Sequence, residues 1–123
     1  MTRFRLARPA REDIDQILAT SAARWGTKAR RRYAALLASA LRHVATNPDG
    51  PLTKDRAAIA PGIRSFHIRH ASADSAETKV RAPVHILYFR SVSPELVEIV
   101  RVLHERMEPG RHVGARSRVA EPE

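Results

Sequence analysis

The chain has 123 residues, and 22 lysines and arginines against 13 aspartates and glutamates give it a formal charge of +9. One compact domain fits this length, whereas two well-formed domains joined by a linker do not. The absence of cysteine excludes a disulfide scaffold, a thiolate metal site and a cysteine nucleophile. No apolar run approaches the roughly 20 residues of a membrane helix, and the start, Met1-Thr2-Arg3-Phe4-Arg5, carries no apolar block that would direct export, so a cytoplasmic location is expected. The surplus of positive charge favours an acidic partner, nucleic acid or acidic protein, over a neutral one.

Thr2 to Leu6 alternates polar and apolar residues, with Phe4 and Leu6 on one face, which predicts a short strand. Pro9 suits the start of a helix, where its missing N–H is no loss, and Glu12 and Asp13 are expected in the first turn, facing the positive end of the helix dipole. Ile14, Ile17, Leu18, Ser21, Ala22 and Trp25 recur at helical spacing, so an amphipathic helix is predicted from about Pro9 to Trp25. Gly26 ends it. A second helix from about Thr27 carries Tyr33, Leu36, Leu37, Ala40, Leu41 and Val44 on one face, with Arg30, Arg31, Arg32 and Arg42 mostly on the others. So short a link folds the two helices back as a hairpin, and Trp25 and Tyr33 are expected to pack at its junction.

Asn47-Pro48-Asp49-Gly50-Pro51 is turn chemistry that stops the second helix, and Pro61-Gly62 closes the loop that follows. From Ile63 the period changes to 2. Arg64, Phe66 and Ile68 oppose Ser65, His67 and Arg69. From Val84 to Arg90, Leu87 and Phe89 oppose Ile86, Tyr88 and Arg90. From Leu96 to His104, Val100 and Val102 oppose Val97, Ile99, Arg101 and Leu103. The expected fold is α+β: an N-terminal strand, an α-helical hairpin, then a three-stranded, all-antiparallel β-meander with the helices on one sheet face and a cationic surface on the other. The polar stretch Ala71 to Pro83 reads as a long hairpin tip. Periodicity is lost from about Glu108, which predicts one domain over 1–108 and a flexible tail over 109–123 that includes Arg111, Arg116 and Arg118.

This order of elements resembles the RelE/ParE superfamily of bacterial toxin–antitoxin toxins, and four segments resemble its ParE branch. They are Ala23-Arg24-Trp25-Gly26 with Ala29 and Tyr33; Pro61-Gly62-Ile63-Arg64-Ser65-Phe66-His67; Pro83 to Arg90; and Val97 to Met107. The likeness spans about Phe4 to Val113. It departs at Ala7-Arg8-Pro9, where the family's usual Ser-Pro would supply a helix cap worth about 1 kcal/mol, and at the insert Ala71 to Pro83, which is longer than in a typical member.

The resemblance implies a non-catalytic inhibitor of DNA gyrase, neutralised by a ParD-like antitoxin within a hetero-oligomer. For the gyrase contact it points to Arg101, His104, Arg106 and Met107. For the antitoxin, the basic residues of the helix hairpin are the candidates: Arg24, Lys28, Arg31, Arg32 and Arg42. The same residues also read as a solvated charged face. The superfamily's RelE-like branch implies the alternative, a ribosome-dependent mRNA endonuclease, which needs a base, an acid and positive charge around one phosphate. By strand alternation, His67, Arg69, Tyr88, Arg90 and Arg101 are the set that could converge. His67 and His70 point to opposite sides of a strand, so no metal site is expected. No cofactor motif is found, and without a recognition helix, contact with nucleic acid is expected only through the antitoxin.

Overall fold

The computed structural model describes residues 3–71 and 80–114. Strand β1 (Arg3–Leu6) leads into helix α1 (Arg8–Trp25) and, after the single residue Gly26, helix α2 (Thr27–Thr46). Gly26 lies at φ +93°, a conformation that only glycine adopts without strain, and this lets the chain reverse in one residue. A two-residue strand β2 (Lys54–Asp55), which periodicity could not announce, precedes β3 (Arg64–His67), a 3₁₀ turn (Ile68–Ala71), β4 (His85–Ser93) and β5 (Leu96–His104). The third predicted strand matches β5 end to end. The first is cut short, because Ile68 and Arg69 turn into the 3₁₀ segment. Ala7 stands at the N-cap of α1 without a side-chain cap hydrogen bond, as its sequence implied. The helix begins at Arg8, so Glu12 and Asp13 fall beyond the first turn and are not dipole partners.

The sheet runs β1-β5-β4-β3-β2. The meander β3-β4-β5 is antiparallel as expected, but β1 lies parallel to β5, Phe4 opposite Val97 and Leu6 opposite Ile99, so the sheet is mixed. Alternation within an isolated strand says nothing of its neighbour's direction. The helices cover one face, where Leu36, Leu37, Ala40, Leu41 and Val44 of α2 meet Phe66, Leu87, Phe89, Val97, Ile99 and Val102.

A second, smaller core covers part of the other face, where the sequence predicts an open cationic surface throughout. Ala60, Ile63, Tyr88, Val100 and Leu103 pack there with Val113, which is 0% exposed and sits on a π-helical turn, Gly110–Gly114. A tail beginning at 109 is therefore corrected: one buried valine ties the segment to the sheet through residue 113. Residues 115–123, with Arg116 and Arg118, and residues 72–79 of the expected hairpin tip lie outside the described residues.

A bulge in β5 governs which side chains reach which core. Tyr88 pairs with Arg101 while Phe89 pairs with Ile99, leaving Val100 as the extra residue. Val97 and Ile99 face the helices, Val100 turns to the second core, and Val102 faces the helices again. The simple alternation expected for Leu96 to His104 is broken at this point. Arg101 is drawn to α1: its Nε and Nη2 donate to the two carboxylate oxygens of Asp13 at 2.8 and 2.9 Å, and the Val102 N–H donates to the same carboxylate at 2.9 Å. The two side chains are 13% and 15% exposed.

Removing one partner of a fully buried pair strands the other charge at a cost of about 3–5 kcal/mol, and for this part-buried pair the low end of that range applies. Asp13→Ala is expected to lose about 3 kcal/mol of stability in urea unfolding, and Asp13→Asn, which retains one acceptor, distinctly less. Equal midpoints for Asp13→Ala and the parent chain would show that the bulge holds without this pair.

Candidate functional site

Residues four apart on α1 stack along one stripe, which aligns Ile17, Ser21 and Trp25 beside Gln16, Thr20 and Arg24. Ala29, Arg32 and Tyr33 of α2 face them across the hairpin, and Val80 to Ala82, Val84, His85 and His104 close the sheet side. Together they line a largely apolar groove of about 760 Å³, within the size range of binding clefts. Trp25 is 69% exposed at its rim, with the Arg24 guanidinium 5.7 Å from the ring centroid. The expected packing of Trp25 at the helix junction is thus corrected. With only Gly26 between the helices, the indole at the end of α1 has no partner wall and stays on the surface.

Tyr33 and His85 form the polar floor. The Tyr33 hydroxyl lies 2.6 Å from His85 Nδ1 and accepts the Val84 N–H at 3.2 Å. Burial, reinforced by His104 and His67, pushes the His85 pKa down to about 4, so the ring is neutral at pH 7. Tyr33 is itself shifted upward by burial and keeps its proton, which it donates to Nδ1. His104 meets His85 edge-on at 5.6 Å between centroids and accepts the Arg106 N–H at its own Nδ1. The Tyr33 hydroxyl and His85 Nδ1 are thus committed to each other beneath a largely apolar wall with Arg24, Arg32 and Arg81 in its lining.

The residues singled out from sequence divide clearly. Arg24, Lys28, Arg31, Arg32 and Arg42 are all exposed on the hairpin, and Arg24 and Arg32 line the groove. Of the gyrase candidates, Arg106 and Met107 are exposed beyond β5 and His104 lines the groove, but Arg101 is held by Asp13 and is not available. The nuclease set does not converge. His67 donates from Nε2 to Glu105 at 2.7 Å while its Nδ1 accepts the Arg69 N–H, Arg90 is paired with Glu98, Arg101 turns to α1, and Tyr88 is buried in the second core. The bulge at Val100 leaves Arg101 directly opposite Tyr88 on the neighbouring strand, and it is the Asp13 carboxylate that draws its guanidinium away from this set. Among the described residues no group of three or more His, Asp or Glu side chains could hold a metal ion, and no helix is long and apolar enough to cross a membrane. Sequence reasoning missed the groove because its sheet-side wall, Val80 to Ala82, carries no periodic signal. The pairing of His85 with Tyr33 could have been sought from their places at the start of a strand and near the start of a helix.

A family model for the ParE toxin of the type II toxin–antitoxin system parDE matches residues 4–109. Toxin ParE1 of Caulobacter vibrioides is 31% identical over 114 residues, covering 93% of this chain and all of that protein. Toxin ParE1 of Mycobacterium tuberculosis is 28% identical over 112 residues, covering 91% and 98%. A chain of the solved chromosomal ParDE toxin–antitoxin system of P. aeruginosa shares the fold, with a TM-score of 0.59 at 19% identity over 85% of this chain and 96% of that one.

A histidine held below its unfolded pKa of about 6.5 favours the native state fully above that value, and its contribution is lost as pH falls towards about 4. His70, lowered by burial and then by Arg69, acts in the same direction. The urea midpoint is therefore expected to fall between pH 6.5 and 4, and to fall less in His85→Gln. An unchanged slope in that variant would remove His85 from this role.

Proposed function

The chain belongs to the ParE toxin family of type II toxin–antitoxin systems, and we propose that it inhibits DNA gyrase stoichiometrically and is silenced by a ParD-like antitoxin that covers the hairpin groove. The observation that carries the antitoxin reading is the apolar groove with an exposed tryptophan at its rim and Arg24, Arg32 and Arg81 around it. An acidic amphipathic helix suits such a surface: its apolar face fills the groove and its carboxylates meet the arginines. The arginines speed capture and the apolar contacts slow release. Lys28, Arg31 and Arg42 extend the same positive field along α2.

The gyrase reading rests on family membership. His104, Arg106 and Met107 are the candidate contacts that remain, the last two exposed just past β5. A stoichiometric action accords with the engagement of the nuclease set, in which His67, Arg90 and Arg101 are paired with carboxylates and Tyr88 is buried. Among the described residues the RelE-like alternative has no free cluster of acid, base and cation to support it.

The product of the adjacent small open reading frame is expected to bind in a pull-down at moderate salt. Trp25→Ala should weaken that binding by about 2 kcal/mol, roughly 30-fold, and a failure to bind even the parent chain would defeat the neutralisation reading. Separately, purified gyrase should lose supercoiling activity when the chain is added while ribosome-bound messenger stays intact. Arg106→Ala/Met107→Ala should raise the amount needed about tenfold, equivalent to 1.4 kcal/mol. Messenger cleavage with unimpaired supercoiling would assign the chain to the nuclease branch.

A further inference from the structure

The face of the sheet away from the helices carries a row of charge that neither the groove nor the candidate gyrase contacts use. Arg5 of β1 and Arg90 of β4 both register with Glu98 of β5, one from each side. Cross-strand neighbours share a face, so the three side chains form a line across three strands. Arg5 Nε donates to Glu98 Oε2 at 3.2 Å, and Arg90 Nε and Nη2 donate to Oε1 at 3.0 and 2.8 Å. Glu98 is 16% exposed, whereas each arginine is 52% exposed. Arg3, two residues before Arg5, lies on the same face about 6.6 Å along the strand and has no carboxylate partner among the described residues.

One carboxylate thus fixes two guanidiniums and leaves the row with a net positive charge of two, counting Arg3. Glu98 accepts from Arg5 only through Nε, so the Nη hydrogens of that fork stay on an exposed side chain. Arginines already ordered by a neighbour lose less freedom on binding. Such forks match phosphate oxygens two at a time.

We propose that this face, through Arg3, Arg5 and Arg90, binds the phosphate backbone of double-stranded DNA directly and without sequence preference. Two observations favour duplex DNA over other polyanions. A protein partner is anchored by aromatic or apolar side chains at its centre, and single-stranded nucleic acid by stacking on exposed rings. The arginine row offers no ring for either: Tyr88 is buried in the second core with Val113, Phe4 alternates to the opposite face, and Trp25 lies on the helix hairpin. Val92 of β4, 44% exposed, is a lone small apolar side chain beside the row. A cationic strand surface on which Glu98 orders two of the arginines needs only phosphates. The surface belongs to the free chain, in contrast to the motif-based expectation that nucleic acid is met only through the antitoxin, and the proposal does not rest on the gyrase or antitoxin readings.

Anisotropy of a labelled mixed-sequence duplex, titrated with the full chain across a salt series, tests it. Each phosphate contact contributes about 0.9 to the slope of log K against log salt. Arg3→Gln/Arg5→Gln/Arg90→Gln should therefore flatten the slope by about 2.7. Arg8→Gln/Arg11→Gln/Arg30→Gln, which removes the same charge from exposed helix positions, should leave it nearly as steep as in the parent chain. Arg3→Gln alone, which disturbs no ion pair, should flatten it by about 0.9 with an unchanged melting temperature, so that a folding defect in the triple variant cannot mimic the effect. Equal slopes for the two triple variants would reduce the effect to net charge and overturn the proposal. So would tighter binding of a single strand than of the duplex, or displacement of the duplex by a stoichiometric acidic peptide that binds the parent chain and the arginine-row variant alike.

Discussion

The Asp13 carboxylate, bound by Arg101 and by the Val102 N–H, is the contact on which the rest of the architecture depends. It ties the first helix to the last strand at the point where β5 carries an extra residue. The bulge changes the parity of every side chain after it. Counted from Ile99 without the bulge, Leu103 would face the helices and His104 the opposite side. With it, Leu103 joins the second core and His104 meets His85 at the groove. A bulge leaves one residue outside the regular ladder, and the carboxylate supplies an acceptor for the N–H group beside it. The pair is better understood as fixing which of two registers the strand adopts than as a large source of net stability, because desolvation offsets much of its attraction.

The groove is a consequence of that register and of the one-residue link at Gly26. A tight reversal sets the helices close together at their joined ends, and Trp25 then projects past the end of the packed interface. Below it, the Tyr33 hydroxyl is already engaged by His85 Nδ1 and the Val84 N–H. A hydroxyl already engaged gains little from a polar visitor, so apolar contact at the walls and charge at the rim carry most of the selectivity. The low pKa of His85 follows from the same enclosure, since a protonated ring there would face both burial and neighbouring imidazoles.

Much of this was legible in the sequence, and the illegible parts share a cause. The helix hairpin and the meander were readable because each rests on local periodicity: Leu36, Leu37, Ala40, Leu41 and Val44 recur at the helical interval, and Leu87 and Phe89 alternate in β4. What could not be read was set by partners distant along the chain. The parallel placement of β1 beside β5, the bulge at Val100 and the burial of Val113 each depend on contacts between residues far apart in sequence. Arg101 shows the effect on function most plainly. By residue type and strand position it fitted both a gyrase contact and a phosphate-binding cluster, yet a carboxylate 88 positions away claims it for the fold. Arg24 and Arg32 stayed available because no acid faces them at helical spacing.

The two faces of the molecule use arginine in opposite ways, and the difference lies in what surrounds the charge. On the hairpin, arginines stand at the rim of an apolar cavity, where they can steer an acidic segment while the walls provide the grip. On the sheet, Glu98 holds Arg5 and Arg90 in a row across three strands, outside the groove. Coulomb attraction between exposed charges is screened within about 10 Å at 0.1 M salt, so each face acts on its own local partner rather than through the overall charge of the chain. The sheet separates the two surfaces: Arg5, Glu98 and Arg90 lie on its side away from the helices, whereas His85 and His104 line the groove, so a partner held at one does not cover the other.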